Sequence, residues 1–306
     1  MINSQEFYLI NDITTNIDKY KMMIETITSN PEYICQIVQG ILIHGAWTRF
    51  YGFEGVDERT YYSTYMSNLM DRIMEYDNRP IVQPRLPENR VIASCREFAS
   101  LSCAIMRMKN IPARIRGGFS SYLGWKGSFE DHWITEYWNG VRWIMIDPQI
   151  EPLQISYIEQ WGFNKVSLTN GVILDSSGLN PHDLRNIDFV SAGQVWKWCR
   201  SGLIDPNICG IDDYHGLWYV RQQLLMEFAS LNKIELPLRF CNDTPNNSWN
   251  TWSLNVKSDT EVTEEEYNLL DYIAELSIDP DYNLEAIITT YKINPLLQAP
   301  KSIYVW

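Results

Sequence analysis

Two apolar, β-prone runs, residues 131–138 and 141–147, are separated only by Asn139 and Gly140. Both residues tolerate positive φ, so Asn-Gly between such runs is the strongest short-range signal for a β-hairpin. A two-residue type I′ loop predicts Trp138 opposite Val141, Glu136 opposite Trp143 and Ile134 opposite Met145. The same register carried outward puts His132 directly opposite Asp147, with Cβ atoms about 4.5–5.5 Å apart on one face. An imidazole beside a carboxylate is an acid–base pair, in which Asp147 orients His132 and stabilises its imidazolium. The competing readings are a surface strand histidine and a turn residue before Pro148, and the predicted pairing weighs against both.

A third reactive group lies upstream. Ser94 followed three residues later by Glu97 is a capping box, which marks a helix start. Phe98, Leu101, Ile105 and Met108 then follow at spacings of three and four, predicting a helix over 94–109 with one apolar face. Cys95 falls in its first turn, where the positive end of the helix dipole favours thiolate and free backbone N–H groups hold an oxyanion. This predicts an acidic shift of the Cys95 thiol relative to Cys103. Cys103, two turns along, reads as a small buried hydrophobe, as most free cysteines are. Cys95 as nucleophile, His132 as base and Asp147 as orienter make a catalytic triad with a thiol.

Three blocks in order extend this pattern: Ser94-Cys95-Arg96-Glu97-Phe98-Ala99; Ile111-Pro112-Ala113-Arg114-Ile115 with Gly117-Gly118-Phe119; and Asp131-His132-Trp133 through Trp143-Ile144-Met145-Ile146-Asp147-Pro148. Over about residues 88–150 they resemble the transglutaminase-like superfamily of papain-like thiol enzymes. The resemblance implies that Cys95 is the nucleophile, His132 the base and Asp147 the orienter. Glu97 stands where the family usually has Asp, and Trp133 follows the histidine where a small residue often stands, so the cleft is expected to be reshaped. The family core serves proteolysis, deamidation, deglycosylation and acyl transfer alike, so the resemblance leaves the substrate open.

Composition narrows the partners. The formal charge is −13 and no basic stripe appears, which argues against nucleic acid. No run approaches the ~18 apolar residues of a membrane span, and the N-terminus lacks a basic stretch followed by an apolar one. The six cysteines are scattered without a CxxC pair. They suit neither a disulfide framework nor a zinc site, and the expectation is a cytoplasmic protein with reduced thiols.

The rest of the chain reads as mostly helical. Ile10, Ile13, Ile17, Tyr20 and Ile24 suggest an amphipathic lead-in, and 31–47 and 61–76 read as helices. Pro80, Pro84 and Pro87 force an extended or looped stretch. Residues 111–119 read as a strand, 120–128 and 165–188 as loops, 191–201 and 216–232 as helices, and Thr263 caps a last acidic helix from Glu264. The expected organisation is 1–87 helical, 88–160 the catalytic core and 161–306 a helical extension, with either a weak boundary in the polar stretch 240–260 or a C-terminal extension wrapped onto one continuous domain. Asp279 to Glu285 mimics a calcium loop, but Leu284 and Thr290 occupy the places of its essential Gly and Glu, so a solvated turn is expected. His215 beside Asp212 and Asp213 reads as a helix-start loop, His44 as packed or hydrogen-bonded at a helix end, and His182 as a loop residue. Trp125, Trp133, Trp138 and Trp143 either line an apolar cleft or serve strand packing.

The expected fold is therefore α+β, a nucleophile-bearing helix against an antiparallel sheet, with helical N- and C-terminal additions. The expected chemistry is an acyl-enzyme formed through Cys95 on an amide or thioester of a peptide or small molecule, resolved by hydrolysis or by acyl transfer. No metal or organic cofactor is required. A catalytically inactive binding protein that keeps the fold is the alternative.

Overall fold

Alternation around Gly117-Gly118 makes one long strand pair the centre of the molecule. The computed structural model describes residues 2–53, 58–124, 127–162, 165–237 and 248–303. Strand β1 (Leu42–His44) pairs in parallel with β2 (Val91–Ala93). The main sheet has the order β10-β9-β4-β3-β8, with β5 also on β4. Its strands are β3 (Ala113–Ser120), β4 (Phe129–Trp138), β5 (Trp143–Ile146), β8 (Phe189–Ser191), β9 (Cys209–Ile211) and β10 (Tyr214–His215), while β6 (Lys165–Ser167) and β7 (Ile173–Asp175) form a separate hairpin. The stretch expected to be a loop over 165–188 thus contains that hairpin. The sheet also draws three strands from beyond residue 160.

Two glycines allow β3 to sit where it does. A Cβ on Gly117 would lie 2.8 Å from the Trp133 ring, and one on Gly118 would lie 2.2 Å from the Val190 carbonyl oxygen of β8. Any side chain there would push β3 off one neighbour or the other. Gly118 pairs with His132, so this close packing fixes the strand that carries the imidazole.

Among the helices, α1 (Ser4–Phe7) and α2 (Lys21–Glu25) are single turns. The expected amphipathic lead-in is broken: Ile17 and Ile24 are buried, whereas Ile10 and Ile13 are 64% and 53% exposed. Helix α3 (Pro31–Ile41) follows an Asn30 cap, and α4 (Met66–Tyr76) buries Met66, Leu69, Met70 and Ile73 at helical spacing. Helix α5 (Cys95–Met108) packs on β4, where Thr135 donates to the Ala99 carbonyl and lies 2.7 Å from the Ser102 hydroxyl. Then come α6 (Pro152–Trp161), α7 (Ala192–Arg200), α8 (Leu217–Leu231), α9 (Ser253–Val256), α10 (Glu264–Ile278) and α11 (Leu284–Ile293). Thr263 and Glu266 cap α10 reciprocally, as its sequence predicts. Helix α8 packs on β3 and α7 on α8.

A buried ion network ties these layers. Arg116 on β3 donates to Glu136 on β4 at 3.0 and 3.1 Å, to Glu227 on α8 at 2.9 Å and to the Ser277 carbonyl on α10 at 3.0 Å. Glu227 also accepts from the Gly193 N–H at the start of α7. Arg114 adds a 2.6 Å bond to Glu136. Burial opposes ionisation of Glu136, but the Arg116 and Arg114 charges outweigh it and hold the carboxyl down at about 2. Burial dominates at Glu227 and raises it. Among the described residues, no helix is long and apolar enough to cross a membrane.

Candidate active site

The turn from β2 into α5 positions Cys95. The Glu97 carboxylate accepts from the Ser94 backbone N–H at 3.0 Å and from the Ser94 hydroxyl at 2.5 Å, the reach-back expected of a capping residue. Arg96, 1% exposed, donates to the carbonyls of Ser63, Glu235 and Leu236. These bonds pin the first turn of α5 from outside the helix. Cys95 itself is partly exposed and is free, as is the fully buried Cys103.

The histidine and aspartate meet, but not through the register expected. The ladder pairs Thr135 with Ile146, Glu136 with Met145, Tyr137 with Ile144 and Trp138 with Trp143. The loop therefore contains four residues rather than two, a shift of two along one strand. Asn139 braces this turn: its N–H donates to the Arg142 carbonyl at 3.1 Å, its Oδ1 accepts from the N–H groups of Val141 and Arg142, and Gly140 takes φ +98°. A shift of an even number leaves every side chain on its own face. By this register His132 and Asp147 are diagonal neighbours, not direct partners.

What closes the remaining distance is a break in the ladder. On one edge, β4 pairs with β9 through Phe129 and Glu130 and with β5 from Thr135 onward. Residues 131–134 lie in the gap between the two partners. Asp147 leaves the ladder there, its N–H going to the Pro181 carbonyl at 2.7 Å. Its carboxylate then turns onto the imidazole, with Oδ2 2.7 Å from His132 Nε2. Oδ2 also accepts from the Tyr122 hydroxyl at 2.6 Å, and Oδ1 from the Gln149 N–H at 2.9 Å. Burial alone would raise the Asp147 pKa, but the His132 charge and these three donors bring it below the usual carboxylate range. Tyr122 and Gln149 had no sequence signal, because one sits in a loop and the other beyond the strand.

Cys95 and His132 line one cavity of about 270 Å³, with His44, Trp47, Tyr62, Glu130, Asp131 and Tyr219 among its other walls. No Lys or Arg is among the described lining residues. Burial, with Asp131 and Asp212 nearby, pushes Glu130 up to about 8. Burial likewise raises Asp131 to about 6, against the Tyr219 hydroxyl and the His132 charge. Gln223 donates to Asp131 at 2.7 Å.

The expected acidic shift of the thiol is not found. Burial first, then the carboxylates of Asp131, Glu97 and Asp147, raise the Cys95 thiol well above its ordinary value, and an N–H bond from Trp133 only partly opposes them. Three carboxylates outweigh the fractional charge of one helix end. Cys103 is raised to about 12 by burial. The resting group at Cys95 is thus a thiol. Its alkylation rate by iodoacetamide should keep climbing above pH 9 rather than level off near neutrality, a profile that peptide mapping across pH 6–10 would record. A plateau below pH 8 would contradict this electrostatic account.

Other candidate groups lie elsewhere. His215 Nε2 contacts the Asp212 carbonyl ahead of α8, as a helix-start loop residue would. Asp279 Oδ1 accepts from Tyr282 N–H in a turn between α10 and α11. Trp133 is buried against Gly117, and Trp138 and Trp143 pack edge to face at 5.8 Å. None of these three lines the cavity, which Trp47 does. Trp125, Cys241 and most of the expected boundary's first half, through Asn247, lie outside the described residues.

A cysteine at a helix start thus shares its cavity with a histidine that an aspartate holds from behind. Residues 64–148 match the profile of the transglutaminase-like superfamily. That segment is similar to a transglutaminase-like core. The match begins earlier than the motif blocks suggest, so it takes in α4, and it includes Cys95, His132 and Asp147. No curated protein matches the chain. A solved chain from Cytophaga hutchinsonii, described as a candidate cysteine protease, aligns at 17% identity with a TM-score of 0.33, over 48% of this chain and 43% of that one. The aligned part therefore spans less than half of that protein. The mixed helix and sheet around the matched segment agree with a transglutaminase-like fold.

Proposed function

We propose that this chain is a thiol enzyme that forms an acyl-enzyme through Cys95 on an amide or thioester. The observation that carries this reading is the 2.7 Å His132–Asp147 bond in the wall of the cavity that Cys95 also lines. Asp147 holds Nε2, which leaves Nδ1 to take the thiol proton as the S–C bond forms. The imidazolium then passes that proton to the leaving amine or thiolate as its bond to the acyl carbon breaks. Water or an amine attacks the thioester next, giving hydrolysis or transfer, and His132 removes the attacking proton. A raised thiol pKa suits this order, because the proton moves with bond formation rather than before it.

The cavity also bears on substrate size. At about 270 Å³ it falls just under the ~300–1,000 Å³ of sites that enclose drug-sized ligands, so it suits a small acyl group or one side chain.

The test uses p-nitrophenyl acetate as an acyl donor, with the p-nitrophenolate burst and the mass of the trapped protein as readouts. One acetyl group on Cys95 is expected, none in Cys95→Ala, and a burst slowed about 10²–10⁴-fold in His132→Ala. Acetylation at another residue, or a burst that survives in Cys95→Ala, would rule the reading out.

A further inference from the structure

We propose that His44 is the side-chain donor of the oxyanion site, its Nε2–H bonding the acyl oxygen as Cys95 attacks. The inference rests on the Cys95 reading above and adds a residue to it. An attacked carbonyl is held by convergent donors, and of α5 only Cys95 lines the cavity, so its N–H is the backbone donor that the helix brings there. The second must come from another segment facing the same cavity.

His44 meets that requirement by position. In the parallel β1–β2 pair it lies opposite Ala93, two residues before Cys95. It lines the cavity together with Cys95 and His132. Two short strands in register thus bring residue 44 to the mouth of a helix that begins fifty residues later.

The tautomer decides what the ring can do. His44 Nδ1 accepts from the Ala46 N–H at 3.3 Å, so a neutral ring carries its proton on Nε2. Among the described residues no group accepts from that nitrogen, and it is not sealed away as a buried orphan. A lone N–H therefore remains available at the cavity. Burial, followed by the His132 charge, holds the His44 pKa down at about 4, so the ring stays neutral throughout the working range. A neutral imidazole donates a hydrogen bond without competing as a base. It also avoids setting a second positive charge beside the imidazolium that forms on His132.

The plainer role for His44 is to cap the short 3₁₀ segment Gly45–Tyr51 through Nδ1. The two roles separate by substitution. His44→Ser keeps a capping oxygen and removes the Nε2–H, whereas His44→Gln keeps an N–H at similar reach. The measurement is the p-nitrophenyl acetate burst rate of the full chain, beside the rate of Cys95 alkylation by iodoacetamide, a displacement that makes no oxyanion.

The expected result is a burst slowed about 10²–10³-fold in His44→Ser, with a large part recovered in His44→Gln. Alkylation should be unchanged in both. A burst in His44→Ser equal to wild type would overturn the proposal. So would alkylation falling in step with acylation, which would place the effect on the thiol or the fold. Failure of the underlying reading has a different signature, a burst that persists without Cys95.

Discussion

In the proposed mechanism, Asp147→Asn is expected to slow acyl-enzyme formation by about 10³–10⁴-fold with little change in the fold. Asp147 Oδ2 accepts from two donors at once, His132 Nε2 and the Tyr122 hydroxyl. A carboxylate oxygen has lone pairs for both. An asparagine that turns its NH₂ to this position becomes a donor, and His132 Nε2 must then be the acceptor. The ring proton moves to Nδ1, the nitrogen that receives the thiol proton in the proposed mechanism, and the proposed base is disabled. The burst rate measures the loss, and ¹⁵N NMR of the imidazole reports the exchanged tautomer. A wild-type tautomer together with a full-sized burst would remove Asp147 from the mechanism. Tyr122→Phe takes away one donor and leaves the tautomer intact, so about a tenfold loss is expected. The linkage sign is that of a depressed carboxyl: the stability Asp147 contributes is present above its unfolded pKa and is lost as pH falls through its folded one.

The second large effect concerns stability. Arg116→Met should cost about 3–5 kcal/mol, because it leaves Glu227 buried without its cation and halves the positive charge around Glu136. For a chain of this size the melting temperature should drop by roughly 10 °C. The cost lies in the stranded carboxylates and not in the lost packing, since methionine fills much of the arginine volume. Arg116→Met combined with Glu227→Gln should therefore recover part of the loss. Thermal melts of the two single variants and the double variant close the cycle. Additive losses would mean that the two side chains act independently, contrary to their 2.7 Å contact.

The features that local chemistry controls could be read directly. Ser94 and Glu97 mark the start of α5, and Thr263 and Glu266 mark that of α10, because a cap is satisfied within four residues. The hairpin over 131–147 was legible as a hairpin for the same reason. Its register was not: a four-residue turn, braced by Asn139 Oδ1 on two backbone N–H groups, stands where the Asn-Gly pair predicts a two-residue one. The motif blocks fell within the segment that matches the transglutaminase-like profile and held Cys95, His132 and Asp147 in order. They could not show that His132 and Asp147 meet across a gap in the sheet, because that gap exists only where β9, some eighty residues downstream, takes one end of β4.

Sequence by itself thus determined which groups are present, which element carries each, and which face of its strand each occupies. These follow from spacing, capping and the two-residue period of a strand. Tertiary structure alone decided the thiol's protonation, the partners of Asp147 and the place of His44. Asp131, Gln149 and His44 reach the cavity from three segments, Tyr122 reaches Asp147 from a fourth, and the thiol at Cys95 feels burial together with the carboxylates of Asp131, Glu97 and Asp147. Those influences fall steeply with distance and depend on burial, neither of which is encoded in spacing along the chain.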